Sequence, residues 1–218
     1  MAPEGHYLKR LRRGDLTRDG FEGILHDRAA RRFHAVRLAL AGDPRTPRSE
    51  ALGLVSTLFW RDLAHLSADA RVHPAIRRAA DRDLLRRLPE MALAERVDLA
   101  RTVGRGTLTV MRFDADPRVI EALLDNRFAT EPDVVQAAAR PGVPPAVLER
   151  IAAHPRWNVR PAVRSAILRN PALPLALALA LLTRASREDL EGLRAAPGVP
   201  PILKACAERV LADRLERV

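Results

Sequence analysis

The chain has 218 residues, is 47% hydrophobic and only 4% aromatic, and carries a formal net charge of +10. That length bounds it to one domain or one short run of repeats, with a core of Leu, Ala, Val and Ile, a composition that favours helix over sheet. The single cysteine, Cys206, excludes an intramolecular disulfide and a cysteine metal cluster, and the longest apolar run, Leu173 to Leu182, is too short to span a bilayer.

Residues 1–20 interleave Gly5, Gly14 and Gly20 with Lys9, Arg10, Arg12, Arg13 and Arg18, and read as a basic N-terminal arm or a short irregular helix. The start is polar and basic and lacks a secretory signal pattern, so a soluble cytoplasmic protein with no membrane contact is expected. Residues 21–218 read as one α-helical repeat domain. Apolar spacing predicts a helix over 21–41, with Phe33, Val36 and Leu40 on one face. Gly42-Asp43-Pro44-Arg45-Thr46-Pro47 stops it, with Asp43 placed to cap a second helix. That second helix sets Leu52, Val55, Leu58 and Phe59 on one core stripe, and Trp60-Arg61-Asp62 come directly after.

His73-Pro74 opens a helix whose apolar side is Ile76, Ala80, Leu84 and Leu88. On its other side Arg78, Arg82 and Arg86 recur every four residues and share a ridge, diluted by Asp81 and Asp83. A helix over 91–103 is closed by Gly104 and Gly106. Thr107 to Phe113 has strand propensity, but the helical surroundings predict helix. Asp116-Pro117 and Thr130-Glu-Pro132-Asp133 start two more helices, the second with capping-box spacing. Ser186 to Asp189 repeats that spacing further on.

From residue 141 the chain is punctuated by Pro141-Gly-Val-Pro144-Pro145, Pro171-Ala-Leu-Pro174 and Pro197-Gly-Val-Pro200-Pro201, whose starts lie 30 and 26 residues apart. Proline suits the first helical turn and pushes the residue before it out of the α region. Each unit therefore reads as stop, short turn, new helix, with Pro44, Pro117, Pro132, Pro171 and Pro201 expected in or just before a first turn. Asn170 is placed to cap. Leu175 to Leu182, without a β-branched residue, reads as a fully buried helix. A period in this range marks stacked units, each unable to bury its apolar face alone.

Asn170 to Pro174 and the Pro-Gly-Val-Pro-Pro units resemble the leucine-rich-repeat variant, a bacterial α-helical repeat. His73 to Ala80 (HPAIRRAA) and Trp157 to Ala166 (WNVRPAVRSA) resemble the second helix of a HEAT repeat, with Arg77 and Arg160 at its arginine position. The resemblance covers roughly residues 43–211. It implies an all-α, right-handed α-solenoid of stacked helical hairpins, about five to seven of them. The iron–sulfur cluster linked to the variant-repeat family has no counterpart beside the lone Cys206, and no cofactor is expected.

Six histidines stand without a Cys, Asp or Glu at ligand spacing, so no metal site is expected. Gly104-Arg-Gly106 lacks the lysine and strand of a phosphate loop. Some HEAT-like repeat proteins are DNA glycosylases that use tryptophans and an aspartate on alkylated bases. Trp60, Trp157 and Asp62 match that set in residue type, against packing roles for both indoles. Of the 37 basic residues 35 are arginine, with a balance of +7 in residues 1–88 (18 basic, 11 acidic). The arginines favour an acidic partner, protein or nucleic acid, or else sit on solvated faces. The reading is a non-enzymatic scaffold that holds an acidic or protein partner on an arginine-rich face through Arg78, Arg82, Arg86 and Arg164. The alternative is a nucleic-acid binder, as far as a glycosylase with Asp62 as its acid.

Overall fold

In a computed structural model, residues 3–13, 16–196 and 199–215 are described, and among them the chain is all-helical, with fifteen α-helices, two short 3₁₀ turns and no strand. No helix among them is long and apolar enough to cross a membrane. The chain divides into two compact units, Met1–Ala92 with Thr102–Thr107, and Leu93–Arg101 with Leu108–Val218.

The first unit holds α1 (Glu4–Leu11), α2 (Arg18–His26), α3 (His34–Gly42), α4 (Arg48–Val55), α5 (Trp60–Ala68) and α6 (Pro74–Arg87). Here α3 packs on α1 and α4, α4 packs on α6, and α5 packs along α6. Leu25, Val36, Leu40, Leu63 and Leu84 are fully buried between them. The chain crosses to the second unit through α7 (Leu93–Thr102) and α8 (Arg105–Met111). The Thr107 segment is thus helical, as its surroundings require. The second unit then holds α9 (Pro117–Leu124), α10 (Glu131–Ala139), α11 (Pro145–Ala153), α12 (Pro161–Leu168), α13 (Leu175–Leu182), α14 (Arg187–Ala195) and α15 (Pro201–Leu215). Within it α9 packs on α11, α10 on α12, α12 on α14, and α13 on α15, while α14 packs on the adjacent α15.

Five of the junctions share one construction. At Asp43, Asp69, Asn126, His154 and Asn170 a polar side chain accepts the N–H two residues on, while its own carbonyl accepts the N–H three residues on. This is a side-chain-braced turn, which Asp and Asn form readily. The residue closing each turn points inward: Thr46, Val72, Ala129, Trp157 and Leu173 are all buried. Arg140-Pro141-Gly142-Val143 is a variant, with Gly142 at φ +70° and buried Val143 closing onto Arg140. Positive φ at the third position with Pro at the second is the type II pattern, and only glycine adopts it cheaply.

Two of these turns correct the sequence reading. Pro117, Pro132 and Pro201 lie in first helical turns, but Pro44 and Pro171 lie in the braced turns themselves, and the second prolines, Pro47 and Pro174, take the N-cap positions. Asp43 and Asn170 brace turns rather than cap helices. Asn170 uses its other end on the Ala138 carbonyl, 2.6 Å away, and Asn126 does the same to Ala100 at 2.8 Å. His73, Asp116, Thr130 and Ser186 do cap, the last two as full capping boxes. The Pro197-Gly198 start of the third unit lies outside the described residues.

Three further expectations change. The helix expected over 21–41 is two helices, because Asp27 takes the Ala29 N–H and the Tyr7 hydroxyl and turns the chain. Within the first twenty residues, α1 packs on α3 with Tyr7 and Leu11 buried. Finally, α13 is amphipathic rather than wholly buried: Ala178, Leu181 and Leu182 face inward, while Leu175 and Leu179 are 44% and 41% exposed.

Arginine is a structural material here. Arg45 donates to the Leu11 carbonyl, Arg87 to Leu58, Arg140 to Phe113, Arg156 to Ala129, and Arg214 to Thr183 and Ala185. Except for Ala129, which closes the turn after α9, these carbonyls lie at or just past the ends of α1, α4, α8 and α13, where backbone acceptors lack helical donors and a cation is favoured. Arg112 pairs with Asp133 at 2.8 Å, the carboxylate being 1% exposed.

Candidate binding groove

Arg78, Arg82 and Arg86 are all exposed on α6, and α4 forms a wall opposite Arg82 and Arg86. Arg82, Asp83 and Arg86 of α6 line a groove of about 390 Å³ with Ala79 of the same helix, Leu52 and Val55 of α4, and Ser56 just past its end. Leu52 is 37% exposed, and Phe59, just beyond α4, is 64% exposed, so the stripe expected to be core is partly open to solvent. Phe59 lies beyond α4, which ends at Val55, and within α4 the inward positions go to Ala51, Leu54 and Val55 rather than Leu52. An apolar face on α4 set against a cationic wall on α6 results.

The charges on the ridge are unequal. Asp83 binds both Arg86 and Arg87, the Arg86 Nε at 3.1 Å. Asp81 faces away from the groove and accepts from the N–H and hydroxyl of Thr107, at 3.1 and 2.8 Å. Gly106 makes that approach possible, since a Cβ there would stand 2.2 Å from Asp81 Oδ2. Gly104 likewise lies against the Ser67 carbonyl, which explains the two glycines without any phosphate. Arg78 and Arg82 are exposed and make no hydrogen bond or ion pair among the described residues.

The other candidates are committed elsewhere. Asp62 Oδ2 lies 2.5 Å from His34 Nε2, and His34 Nδ1 lies 3.2 Å from Arg37. Arginine only donates, so Nδ1 accepts and Nε2 carries the proton to Asp62. Exposed Phe59 stacks on that imidazole at 4.2 Å. Trp60 begins α5 with the Arg61 guanidinium 4.9 Å from its ring. Trp157 is 2% exposed, donates its indole N–H to the Leu124 carbonyl at 2.9 Å, and is covered by Arg156. It is a packing residue in its own unit.

Arg164 folds back onto the Asn158 carbonyl at 3.2 Å, and its Nε is buried without a hydrogen-bond partner. Arg37 and Arg77 hold the same fourth position in α3 and α6 and share the buried Nε. The counterpart of Arg77 is therefore Arg164, not Arg160, which is an N-cap. The sequence carried this signal: His34-Ala-Val-Arg, Pro74-Ala-Ile-Arg and Pro161-Ala-Val-Arg are one pattern.

No group of His, Cys, Asp and Glu among the described residues could hold a metal ion. No protein-family model matches the chain, and no curated protein or solved structure matches it at a significant level.

Proposed function

We propose that the protein is a non-enzymatic α-solenoid scaffold whose α4–α6 groove docks an acidic, apolar-anchored segment of a partner protein. The packing of α9 on α11, α10 on α12, α12 on α14 and α13 on α15, the recurring braced turns and the repeated Ala-Val/Ile-Arg helix starts support stacked hairpins. The observation that carries the binding reading is the pairing of Leu52 and Val55 with Arg82 and Arg86 in one groove. Arg78 and Arg82, exposed on one ridge and free of internal carboxylates, repel each other modestly and gain from an anion between them. The apolar face gives a peptide side chain an anchor that a phosphate backbone would not use. The glycosylase alternative asks for an open aspartate and exposed indoles, whereas Asp62 is hydrogen-bonded to His34 and Trp157 is buried.

The test is fluorescence titration of the full chain with a labelled helical peptide bearing leucines on one face and glutamates beside them, and with a DNA duplex, across a salt series. Leu52→Ser and the triple change Arg78→Gln, Arg82→Gln, Arg86→Gln should each weaken the peptide about tenfold, near 1.4 kcal/mol. Duplex binding that survives Leu52→Ser and falls steeply with salt, with no peptide binding, would transfer the ridge to the nucleic-acid reading.

A further inference from the structure

A second cavity in the first unit, of about 460 Å³, lies between the Asp43 and Asp69 turns, with Ala41, Ala51, Val72 and Ile76 among its walls. Arg48 and His73 meet at this pocket, Arg48 Nη2 standing 3.4 Å from His73 Nε2. That contact is not a hydrogen bond. His73 Nδ1 accepts the Ala75 N–H at 3.1 Å as the N-cap of α6, so its lone pair is used there and the ring proton sits on Nε2. Arginine has no acceptor. Two donors therefore converge with no acceptor between them.

The surrounding charges are already matched. The Asp43 carboxylate, which also lines the pocket, is held by Arg45 through Nε and Nη2, and Arg71 is held bidentately by Asp69. Arg48 makes no ion pair among the described residues. The site thus offers one unmatched positive charge and one neutral N–H, side by side. Two adjacent donors with a single net charge suit the two oxygens of a carboxylate, in the manner of a fork, better than a dianion. The pocket volume falls in the small-ligand range, and its walls are mainly apolar.

We propose that this pocket binds a monocarboxylate with a short apolar tail, its oxygens on Arg48 Nη2 and His73 Nε2. The experiment is a calorimetric titration of the full chain with hexanoate, hexanol and inorganic phosphate, and with a short leucine-ended peptide as free acid and as amide. Hexanoate should bind and hexanol should not. Arg48→Gln should weaken hexanoate about tenfold or more, the loss of a charge-assisted hydrogen bond. His73→Asn, which keeps a capping oxygen but removes the Nε2 donor, should weaken it less while leaving the melting curve near that of the wild type. If the free-acid peptide binds more tightly than hexanoate and its amide fails, the carboxylate comes from a polypeptide end; the reverse order assigns a small metabolite. The proposal is overturned if hexanol matches hexanoate, if phosphate binds more tightly than hexanoate, or if Arg48→Gln changes nothing.

Discussion

Replacing Asn126 by alanine tests the braced-turn construction at its most buried point. The side chain is 0% exposed, gives its amide to the Ala100 carbonyl at 2.8 Å, and accepts the Phe128 N–H at 2.7 Å. Alanine leaves both backbone groups without those bonds. A lost hydrogen bond costs about 0.5–1.5 kcal/mol, and a buried group left unsatisfied about 1–3, so roughly 2–4 kcal/mol is expected in all. At about 2–4 °C per kcal/mol for a chain of this size, that lowers the melting temperature by about 5–15 °C. Trp157, buried in the same unit, is the probe, with Trp60→Phe removing the other indole. Urea unfolding followed by Trp157 fluorescence should show the full loss. Asn126→Asp should be worse near neutral pH, because it sets a carboxylate against the Ala100 carbonyl, and should recover in acid, where a protonated carboxyl can donate again. A loss under about 1 kcal/mol for alanine, or an aspartate variant better than alanine at neutral pH, would refute the reasoning.

Four further outcomes are expected. Leu179→Ala should cost less than about 1.5 kcal/mol because the side chain is 41% exposed, whereas Leu182→Ala, at 1% exposure, should cost about 2–5; chemical denaturation of the two variants decides it. Gly104→Ala should destabilise, since its Cβ would stand 2.5 Å from the Ser67 carbonyl oxygen, while Gly53→Ala in open space on α4 should stabilise by about 0.5–1 kcal/mol; thermal melts separate them. The Tyr7 hydroxyl bond, 2.7 Å, and the Ala29 N–H hold Asp27 below the usual carboxylate range, and the same bond pushes Tyr7 up. The Asp27 contribution is present above the ordinary carboxylate pKa and lost as pH falls through its lowered value. That of Tyr7 is present below the ordinary tyrosine pKa and lost as pH rises through its raised one. The stability gap between wild type and Tyr7→Phe should therefore be widest at intermediate pH and close at both ends, and a gap independent of pH in urea melts would count against the pair. Arg82→Glu should abolish binding of the acidic peptide by charge reversal without unfolding the chain, read by the same fluorescence titration together with circular dichroism.

Helix starts were legible because proline and capping residues act through the local backbone. His73, Asp116, Thr130 and Ser186 cap helices where their spacing says they should. The break at Asp27 was not legible, since its neighbours Leu25, His26, Arg28 and Ala29 carry no breaker and the turn is fixed by Tyr7, twenty residues away. Nor could periodicity tell Leu52 and Leu179 from buried leucines, because exposure depends on which helix lies alongside. The α6 ridge followed from spacing within one helix. Its apolar wall on α4 and the Arg48–His73 contact are tertiary, formed by residues whose separation in sequence has no period. The arginine excess was ambiguous as composition; the structure divides it into guanidinium groups that reach a carbonyl or a carboxylate, such as Arg45 and Arg112, and exposed ones such as Arg78 and Arg82 that reach neither.

Those arginine–carbonyl bonds run in one direction along the chain. Arg45, Arg87, Arg140, Arg156 and Arg214 each close a carbonyl that precedes them by 27 to 34 residues. During synthesis, a helix end leaving the ribosome therefore waits for a seal that has yet to be translated. The ends of α1, α4, α8 and α13 are each exposed in this way until the arginine that closes them has been made. At these four helix ends the order of synthesis is also the order of closure, since the clasp always comes from chain made later.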